Sequence, residues 1–365
     1  MGPRRTFRLM DWWLTGALVA LLGLGSAFIY SASFRLTHSS GVDYMVRQFV
    51  WIGAGVMVYL LLAMTDYRRL VAFAIPIYVF SLILLGVILL FGEARFGARR
   101  WLPLGPFTLQ PSEFAKLALV LVLARYFSSR IVYSHRWNYL IYPVFLTAVP
   151  GLLILKQPDL GTALVFIPVL LGMALIGRAR RGHLVAFLVV ILLAAPVGWL
   201  NLKDYQKNRI KVFLNPGSDP LGSGYTVIQS KIAIGSGRLT GKGWLSGTQN
   251  MLNFLPERQT DFIFSVVAEE WGFAGALLVL FLYALVILRL YRIAINARDM
   301  MGAILVAGCL VLLAVHVLIN VGMTMGLLPA TGLPLPLLSY GGSVTLVIMG
   351  VLGICQSVYV HRYYY

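Results

Sequence analysis

The feature that most constrains this chain is a recurring apolar run, each copy close to the ~20 residues that cross a bilayer as a helix. Only 12% of the 365 residues are charged, whereas soluble domains carry roughly 25%. A backbone inside lipid must satisfy its own polar groups, as a helix does. We therefore predict an all-α polytopic membrane protein with about ten transmembrane helices. The predicted spans lie near 11–32, 46–65, 70–91, 112–128, 139–156, 160–177, 183–200, 262–288, 300–322 and 340–360.

Basic residues in the short loops are divided unevenly between the two sides of this predicted bundle. An excess of Lys and Arg marks cytoplasmic loops, so both termini are predicted to be cytoplasmic. The long loop at about 201–261, between spans 7 and 8, is then extracytoplasmic. No segment outside the spans is large enough to fold alone, which predicts a single integral membrane domain over residues 1–365. The arginines on the terminal side are Arg4, Arg5, Arg8, Arg68, Arg69, Arg125, Arg130, Arg136, Arg178, Arg180, Arg181, Arg289, Arg292 and Arg298.

The net charge of +17 raises the question of a nucleic-acid partner. The basic residues lie in loops between spans, with no dense basic run and no nucleic-acid motif. Nucleic acid is therefore excluded, and the anionic headgroups of membrane lipids are the favoured partners. Cys309 and Cys355 both fall within apolar runs, which is typical of small buried side chains. No disulfide framework or metal-type cysteine spacing is present.

One outward loop, at 93–105, carries arginines where the topology favours few: Arg95, Arg99 and Arg100. Two interpretations stay open. The arginines either anchor ordinary phospholipids or recognise a phosphate or pyrophosphate headgroup, for which guanidinium groups are well suited. Trp101, beside them, is either an interfacial aromatic residue or a surface against which a sugar ring packs.

Two motifs place charged residues at the ends of apolar helices. In QPSEFAK (110–116), Glu113 and Lys116 are three residues apart and share one helix face. Such a pair either pins the start of the span or faces a cavity inside the bundle. In KQPDLGT (156–162), Lys156 and Asp159 flank a turn where the backbone must break. Turn chemistry explains the proline and glycine of that motif better than it explains the two charges.

The end of the long loop brings acidic residues to the mouth of the eighth span, in a chain with 13 Asp and Glu against 30 Lys and Arg. Asp261 is either a helix N-cap or a catalytic base, and Glu257 is the alternative base. Glu269 and Glu270 lie within the span, where pairing with a basic residue is favoured over chemistry.

Two other segments have a distinctive local pattern. Tyr225, Ile228 and Ile232 are spaced by three and four residues, which predicts an amphipathic helix over 225–234 at the outer membrane surface. The stretch 322–343 is rich in proline and glycine and cannot be a plain helix. Irregular backbone at membrane depth must be buried in protein or line a cavity. We predict that it forms a wall opposite the long loop, with the hydroxyls of Ser339 and Tyr340 available there.

Six motifs, in this order, resemble the SEDS family, the shape, elongation, division and sporulation proteins of bacterial wall synthesis. The match covers nearly the whole chain, and residues 235–262 are more similar to the elongation branch than to the division branch. Val344 departs from the family pattern, in which a second serine often follows GGS. The motifs are RW at 100–101, QPSEFAK at 110–116, KQPDLGT at 156–162, NPGSDPLGSGY at 215–225, LPERQTDFIFSVVAEEWGFAG at 255–275 and LPLPLLSYGGS at 333–343.

The resemblance implies a peptidoglycan glycosyltransferase of the bacterial cytoplasmic (inner) membrane. Such an enzyme polymerises lipid II into β-1,4 glycan strands at the outer face of that membrane during cell elongation, and binds the undecaprenyl-pyrophosphate-linked glycan. The resemblance also implies that Asp261 is essential and that Glu113 and Lys116 line the working cavity. It further implies that a class B penicillin-binding protein contacts spans 8 and 9.

This reaction inverts the anomeric carbon, because the donor is α-linked and the product β-linked. It requires a base on the incoming hydroxyl, for which Asp261 is the candidate. Basic side chains or a divalent cation such as Mg²⁺ or Mn²⁺ stabilise the leaving pyrophosphate, and the choice between them stays open. The candidate pyrophosphate-binding residues are Arg99, Arg100, Arg209, Lys231 and Arg258. The candidate cavity residues are Trp101, Glu113, Lys116, Lys156, Asp159, Ser339 and Tyr340.

A lipid II flippase is the alternative function. A flippase requires charged residues along a path through the membrane, whereas the unusual charges of this chain gather near its outer face. That distribution favours the enzyme. A structural scaffold, the third possibility, explains neither Asp261 nor the outward arginines.

Overall fold

The computed structural model describes residues 7–34, 40–95, 98–104, 107–219 and 222–362. Long helices form in it where the sequence has its apolar runs. Ten long helices of these ranges coincide with the ten predicted spans, and eight of the ten are long and apolar enough to cross a membrane. The predicted all-α polytopic architecture is confirmed. In chain order the helices are α1 (Trp12–Ser33), α2 (Ser40–Met64), α3 (Tyr67–Ala72), α4 (Ala74–Phe91), α5 (Pro111–Arg130), α6 (Asn138–Lys156), α7 (Leu160–Ile176), α8 (Arg181–Asn201), α9 (Asp204–Leu214), α10 (Ser223–Ser236), α11 (Thr248–Met251), α12 (Ile263–Ile295), α13 (Met300–Thr324) and α14 (Gly342–His361).

Helix α5 lies at the centre of the bundle. It packs against α4, α6, α7, α13 and α14, and most of its residues up to Ala124 are buried. Helix α5 is one of the two long helices that are not apolar or long enough to count as a span by composition alone; the other is α7, with 17 residues. Because protein rather than lipid surrounds α5, charged side chains on it can find partners inside the bundle.

The antiparallel helices give the bundle two faces. The terminal face carries the start of α1 and the end of α14, and two ion pairs fasten it. Arg289 Nη2 lies 2.6 Å from Asp11 Oδ2, and Arg68 Nη2 lies 2.8 Å from Asp299 Oδ2. The loop face carries the segment 202–262 and the wall at 325–341.

A small sheet on the loop face adds a feature that the all-α prediction omits. Strand β2 (Ala98–Leu104) pairs antiparallel with β1 (Glu93–Arg95) and with β3 (Phe107–Leu109). These residues fall between two apolar runs, so their backbone groups find cross-strand partners instead of helical ones. The sheet places Arg100 and Trp101 beside the start of α5.

Helix α12 is broken one third of the way along, at Gly272, which has φ +64° and ψ −159°. The left-handed conformation suits glycine because it has no Cβ. Residues 238–243 fill the break: Phe273 N donates to the Arg238 carbonyl at 2.8 Å, and Gly243 N donates to the Glu270 carbonyl at 3.0 Å. The long loop is therefore anchored by backbone hydrogen bonds inside a membrane-spanning helix.

Helix α10 confirms the predicted helix over 225–234, but it packs through a different face. It lies against α12 and α13, with Val227, Ser230 and Ala233 buried. Ile232, assigned to the apolar face by spacing, is 45% exposed. The small residues face the bundle because Ser230 Oγ donates to the Thr324 carbonyl at 2.6 Å and lies 2.7 Å from Ser265 Oγ.

Candidate functional site

Asp261 lies on the loop face, two residues before α12. The helix-cap interpretation is wrong, because Phe262 occupies the N-cap position and makes no side-chain capping bond. The carboxylate instead faces the wall at Gly332, which has φ +77°. A Cβ atom placed on Gly332 would lie 3.4 Å from Asp261 Oδ2 and 4.0 Å from Arg209 Nη1. Asp261 and Arg209 therefore flank the same glycine.

The position of Asp261 is fixed through its backbone while its carboxylate stays without an ion pair among the described residues. Asn320 Nδ2 of α13 donates to the Asp261 carbonyl at 2.9 Å and to the Leu333 carbonyl at 2.8 Å. One amide thus ties the end of the long loop to the wall. Asp261 as a residue is partly exposed, so a substrate hydroxyl can approach it.

Burial, with a smaller contribution from the nearby Glu257 carboxylate, raises the pKa of the Asp261 carboxyl to about 6, while Arg209 opposes the shift. A general base transfers protons most efficiently when its pKa lies close to the working pH. At neutral pH the carboxylate is mostly deprotonated and still basic enough to accept a proton.

Arg209 and the 156–162 turn converge on the same part of the loop face. Arg209 Nη1, on α9, donates to the Thr331 carbonyl at 3.0 Å. One turn earlier, Tyr205 donates its hydroxyl to the Pro158 carbonyl at 2.5 Å. The side chain of Asp159 caps α7 by accepting from Thr162 N at 3.1 Å.

Arg100 of the small sheet contacts the same 156–162 turn. Its Nε donates to the Gln157 carbonyl at 3.2 Å, and its Nη2 donates to the Pro158 carbonyl. Arg100 Nη1 also lies 3.8 Å from Asp159 Oδ2. Predicted residues from four separate parts of the sequence, Arg100, Asp159, Arg209 and Asp261, thus gather around the wall.

The predicted pair on α5 forms a buried ion pair. Lys116 Nζ lies 2.7 Å from Glu113 Oε1, and both side chains are 1% exposed. Lys116 Nζ also lies 2.9 Å from His316 Nε2 of α13. Because an ammonium group only donates, His316 must accept through Nε2 and carry its proton on Nδ1. His316 is not among the residues predicted from the sequence.

His316 belongs to a polar stripe on α13 that joins the α5 pair to the loop face. Asn320 holds the Asp261 carbonyl, and the Thr324 carbonyl accepts from Ser230. All three stripe residues are fully buried. The signal was present in the sequence, because His316, Asn320 and Thr324 are spaced by four residues in an otherwise apolar run.

The acidic residues of α12 make structural contacts. Glu269 pairs with Lys242 Nζ at 2.7 Å and accepts from Gln249 N at 2.9 Å. Glu270 accepts from Ser31 Oγ at 2.5 Å and has no cationic partner among the described residues. The expected pairing with a basic residue is therefore correct for Glu269 and wrong for Glu270.

The prediction that Arg258 binds pyrophosphate is wrong, because Arg258 is only 2% exposed. Its Nε donates to the Ala32 carbonyl and its Nη1 to the Asn250 carbonyl, each at 2.6 Å. These bonds fasten the loop to α1 and leave no accessible fork for a phosphate.

Ser339 and Lys156 are placed differently from expectation, whereas Lys231 lies on the loop face, as expected of a pyrophosphate ligand. Ser339 is buried, and its hydroxyl accepts from Leu335 N at 2.8 Å, so it stabilises the wall rather than facing a cavity. Lys156 is exposed and makes no ion pair in the described part of the chain. Lys231 is also exposed, and its stem lies over Gly326 on the loop face.

The aromatic residues remain close to the site. Trp101 is partly exposed on β2. Tyr340 packs edge-to-face on Tyr44 with ring centroids 5.0 Å apart, and its backbone N donates to the Gln259 carbonyl at 2.9 Å. The side chains of Arg95 and Arg99 lie outside the described part of the structure. Within that part, no group of three or more His, Cys, Asp or Glu side chains is arranged to hold a metal ion.

A helical membrane bundle that holds a carboxylate beside an arginine on one face, with no ion pair to that carboxylate among the described residues, is the arrangement expected of a membrane-embedded enzyme. The chain belongs to the family of cell cycle proteins that contains FtsW, RodA and SpoVE, whose family model matches residues 12–364. The resemblance to SEDS proteins is thereby confirmed.

Individual relatives agree with this assignment. The chain is 43% identical to the peptidoglycan glycosyltransferase MrdB of Escherichia coli K12, over 94% of this chain and 92% of the relative. It is 35% identical to the peptidoglycan glycosyltransferase RodA of Treponema pallidum, over 95% and 97% of the two chains.

Solved structures share the fold over almost the full length. A chain of a peptidoglycan synthase complex, solved to explain how polymerization and crosslinking are coordinated, is 34% identical, with a TM-score of 0.82 over 98% of this chain and 99% of that chain. The crystal structure of the rod shape determining protein RodA of Thermus thermophilus is 31% identical, with a TM-score of 0.71 over 97% and 98% of the two chains.

Proposed function

We propose that this chain is a peptidoglycan glycosyltransferase that polymerises lipid II into β-1,4 glycan strands during cell elongation. The observation that carries the proposal is Asp261 on the loop face, a partly exposed residue beside Arg209 whose carboxyl has a raised pKa and no ion pair within the described ranges. The relatives named as peptidoglycan glycosyltransferases support the reaction class. The enzyme resides in the bacterial inner membrane.

Asp261 acts as the general base of an inverting transfer. Its carboxylate takes the proton from the 4-hydroxyl of the acceptor sugar as that oxygen attacks the anomeric carbon of the donor. The bond from that carbon to the lipid pyrophosphate breaks, and the leaving group departs with the electron pair on the opposite side. Base and leaving group must therefore occupy opposite sides of the donor sugar.

Arginines bind the pyrophosphate of the leaving group in this proposal. Arg209 is the first candidate because it and Asp261 flank Gly332, so that a donor sugar between them would have the base on one side and the guanidinium group on the other. Arg100 is the second candidate, although two of its nitrogen atoms already donate hydrogen bonds to the 156–162 turn. Arg99 and Lys231 complete the proposed set. Guanidinium groups suit this task because they stay charged and donate in a planar fork.

The Glu113–Lys116 pair orders the cavity rather than transferring protons. Lys116 is held by Glu113 and His316, and the His316 ring lies close to the Pro334 backbone in the wall. A buried ion pair of this kind fixes where α5 meets α13 and the wall. Its contribution to catalysis is therefore the placement of the wall opposite Asp261.

Both termini are cytoplasmic, and a class B penicillin-binding protein packs its membrane helix against α12 and α13, the eighth and ninth spans. A stripe on α12 supports this contact: Phe273, Leu277 and Phe281 are 61%, 54% and 61% exposed at four-residue spacing. The related chain in the peptidoglycan synthase complex supports an assembled state. Disulfide crosslinking from Leu277→Cys to the partner helix tests the contact, with exposed Ile83→Cys on α4 as the matched control. Equal crosslinking from both positions would contradict it.

The decisive test of the function is polymerisation of fluorescent lipid II by purified Asp261→Asn together with its penicillin-binding partner. We expect a loss of about 10²–10⁴-fold, the typical contribution of a general base. Glu257→Gln is the matched control, because Glu257 is exposed and close in sequence. It should stay within a few-fold of wild type. Asp261→Asn should bind lipid II as the parent protein does and should be no less thermally stable than the parent.

The opposite results would select another function. Near wild-type polymerisation by Asp261→Asn would remove Asp261 as the base and make Glu257 the candidate. Absence of polymerisation in the parent protein, together with lipid II transport across proteoliposome membranes, would favour the flippase.

A further inference from the structure

A groove on the terminal face gathers arginines that the proposed reaction does not use. It lies between α4, α5 and α6 and encloses about 420 Å³. Arg125 and Arg130 line one end, together with Ser129 and Tyr126. The other end is lined by the apolar side chains Ile75 and Val122 and by the ring of Tyr142. The groove therefore has a cationic end and an apolar end.

The positive charge of this groove is not neutralised by the protein. No carboxylate lines it, and neither Arg125 nor Arg130 makes an ion pair with any residue that the structure describes. Arg68, on the same face, shows the contrast, because it pairs with Asp299 at 2.8 Å. Arg125 Nη1 donates one hydrogen bond to the Ala72 carbonyl at 2.6 Å, and a guanidinium group has four more N–H donors.

Two arginines lie over one aromatic ring, that of Tyr133, beside the groove. An adjoining cavity of about 280 Å³ shares Tyr126 and Arg130 with it and adds Arg136. The guanidinium groups of Arg130 and Arg136 lie 5.8 Å and 5.3 Å from the centroid of the same ring, that of Tyr133. Two like charges on one ring repel each other, and an anion between them would remove that cost.

The shape of the groove matches a molecule with a charged head and apolar tails. Deeper along the helices, Tyr78 of α4 donates its hydroxyl to the Leu146 carbonyl of α6 at 2.7 Å and joins these two helices. At the mouth, Ile75 and Tyr142 are 47% and 49% exposed, and Phe145 next to them is 61% exposed. A bound molecule must therefore continue sideways over this apolar surface, where lipid tails lie.

We propose that this groove is a binding site for the phosphate headgroup of an anionic phospholipid. Arg125 and Arg130 bind the phosphate, and the acyl chains run over Ile75 and Phe145 into the bilayer. Basic pockets between membrane helices bind anionic headgroups in this way. The site is independent of the proposed sugar transfer, because its residues lie on the opposite face from Asp261.

The test uses the full-length protein in detergent micelles and measures bound lipid by native mass spectrometry. Phosphatidylglycerol and phosphatidylcholine are titrated separately, and the anionic lipid should bind at least tenfold more tightly. Arg125→Gln/Arg130→Gln should weaken phosphatidylglycerol binding by about 30-fold. Ile75→Trp, which fills the apolar end without changing charge, should weaken it about tenfold.

A matched control removes two arginines from the same face. Arg292 and Arg298 are exposed and lie outside the groove, so Arg292→Gln/Arg298→Gln should bind phosphatidylglycerol as the parent does. If Arg125→Gln/Arg130→Gln does not fold, Arg130→Gln/Arg136→Gln replaces it and should show at least a tenfold loss.

Three outcomes would overturn the proposal. The first is equal affinity for the two lipids, and the second is an equal loss in the control double variant. The third concerns the source of the phosphate. If glycerophosphoglycerol or inorganic phosphate binds as tightly as the lipid, the groove is a site for a free phosphate and not for a membrane lipid.

Discussion

Glu113 and Asp261 are two acidic residues with opposite surroundings. The Glu113 side chain is 1% exposed and lies 2.7 Å from Lys116, inside the bundle. Asp261 is partly exposed, has no ion pair among the described residues, and has a pKa raised to about 6. A carboxylate with a permanent buried partner holds structure together. A carboxylate whose charge is only partly compensated can exchange a proton with a substrate.

The comparison also separates two kinds of attachment. Glu113 is held through its side chain, so its charge is committed to the fold. Asp261 is held through its backbone carbonyl by Asn320, so its side chain stays available. Substitutions at the first site should therefore change stability, and substitutions at the second should change activity. The following predictions test that division, from the largest expected effect to the smallest.

Breaking the buried pair should give the largest loss of stability. Glu113→Gln or Lys116→Met alone leaves an uncompensated buried charge and should lower the free energy of unfolding by about 3–5 kcal/mol. The double variant should lose less than the worse single variant, because neither charge remains. Thermal unfolding of the purified protein measures the difference.

The exposed pair on the terminal face is the control for this prediction. The Arg68 and Asp299 side chains are 40% and 34% exposed, so Arg68→Gln should cost about 0–1 kcal/mol. If the Glu113 single variant were no less stable than Arg68→Gln, the buried pair would not be a structural element.

Removing His316 should have an intermediate effect. His316→Leu deprives the Lys116 ammonium of one acceptor at a fully buried position and should cost about 1–3 kcal/mol. His316→Gln keeps an acceptor and should recover part of that loss. The two variants are compared by thermal unfolding and by lipid II polymerisation. Equal losses would show that the ring volume, and not the contact with Lys116, is what matters.

The raised pKa of Asp261 predicts how activity depends on pH. Protonation removes the base, so kcat/KM should fall about tenfold for each unit below about pH 6 and should be flat above it. This dependence should be absent from the residual activity of Asp261→Asn. A profile that stays flat down to about pH 5 would contradict a base of pKa about 6.

The raised pKa of Asp261 affects stability in the opposite direction: the ionised carboxylate that favours activity lowers the free energy of unfolding. The folded-state pKa of about 6 lies above the ~3.9 of an unfolded aspartate. The folded state therefore binds more protons between those values, and the contribution of Asp261 to the free energy of unfolding falls as the pH rises through that window. Asp261→Asn should be no less stable than the parent at neutral pH.

The smallest effect on activity is expected at the glycine between Asp261 and Arg209. Gly332→Ala must adopt φ +77°, at a cost of about 1–2 kcal/mol, and places a methyl group beside the Asp261 carboxylate. Polymerisation should fall about tenfold, because small displacements of a base are costly. Gly243→Ala is the control: it has φ +101°, and its nearest neighbour is Ser246 Oγ at 3.7 Å. It should lose similar stability and keep its activity.

Most of the fold, and part of the candidate site, could be predicted from the sequence. The apolar runs predicted the ten long helices, because a helix is the form that satisfies the backbone in lipid. The three-residue spacing of Glu113 and Lys116 predicted their shared face. The acidic residues at the start of the eighth span offered Asp261 and Glu257 as bases, and the family resemblance selected Asp261. The positive-inside pattern predicted an orientation that remains a proposal.

Other features could be found only in the tertiary structure. The partners of Lys116 and Asp261 on α13, His316 and Asn320, are separated from them by 200 and 59 residues. Arg258 looked like a phosphate ligand, and only packing revealed that it fastens the loop to α1. The break at Gly272 and the segment that fills it form one unit. Local spacing determines which residues share a face, but contacts between helices depend on how those faces pack, and packing decided which charges are structural and which remain available for chemistry.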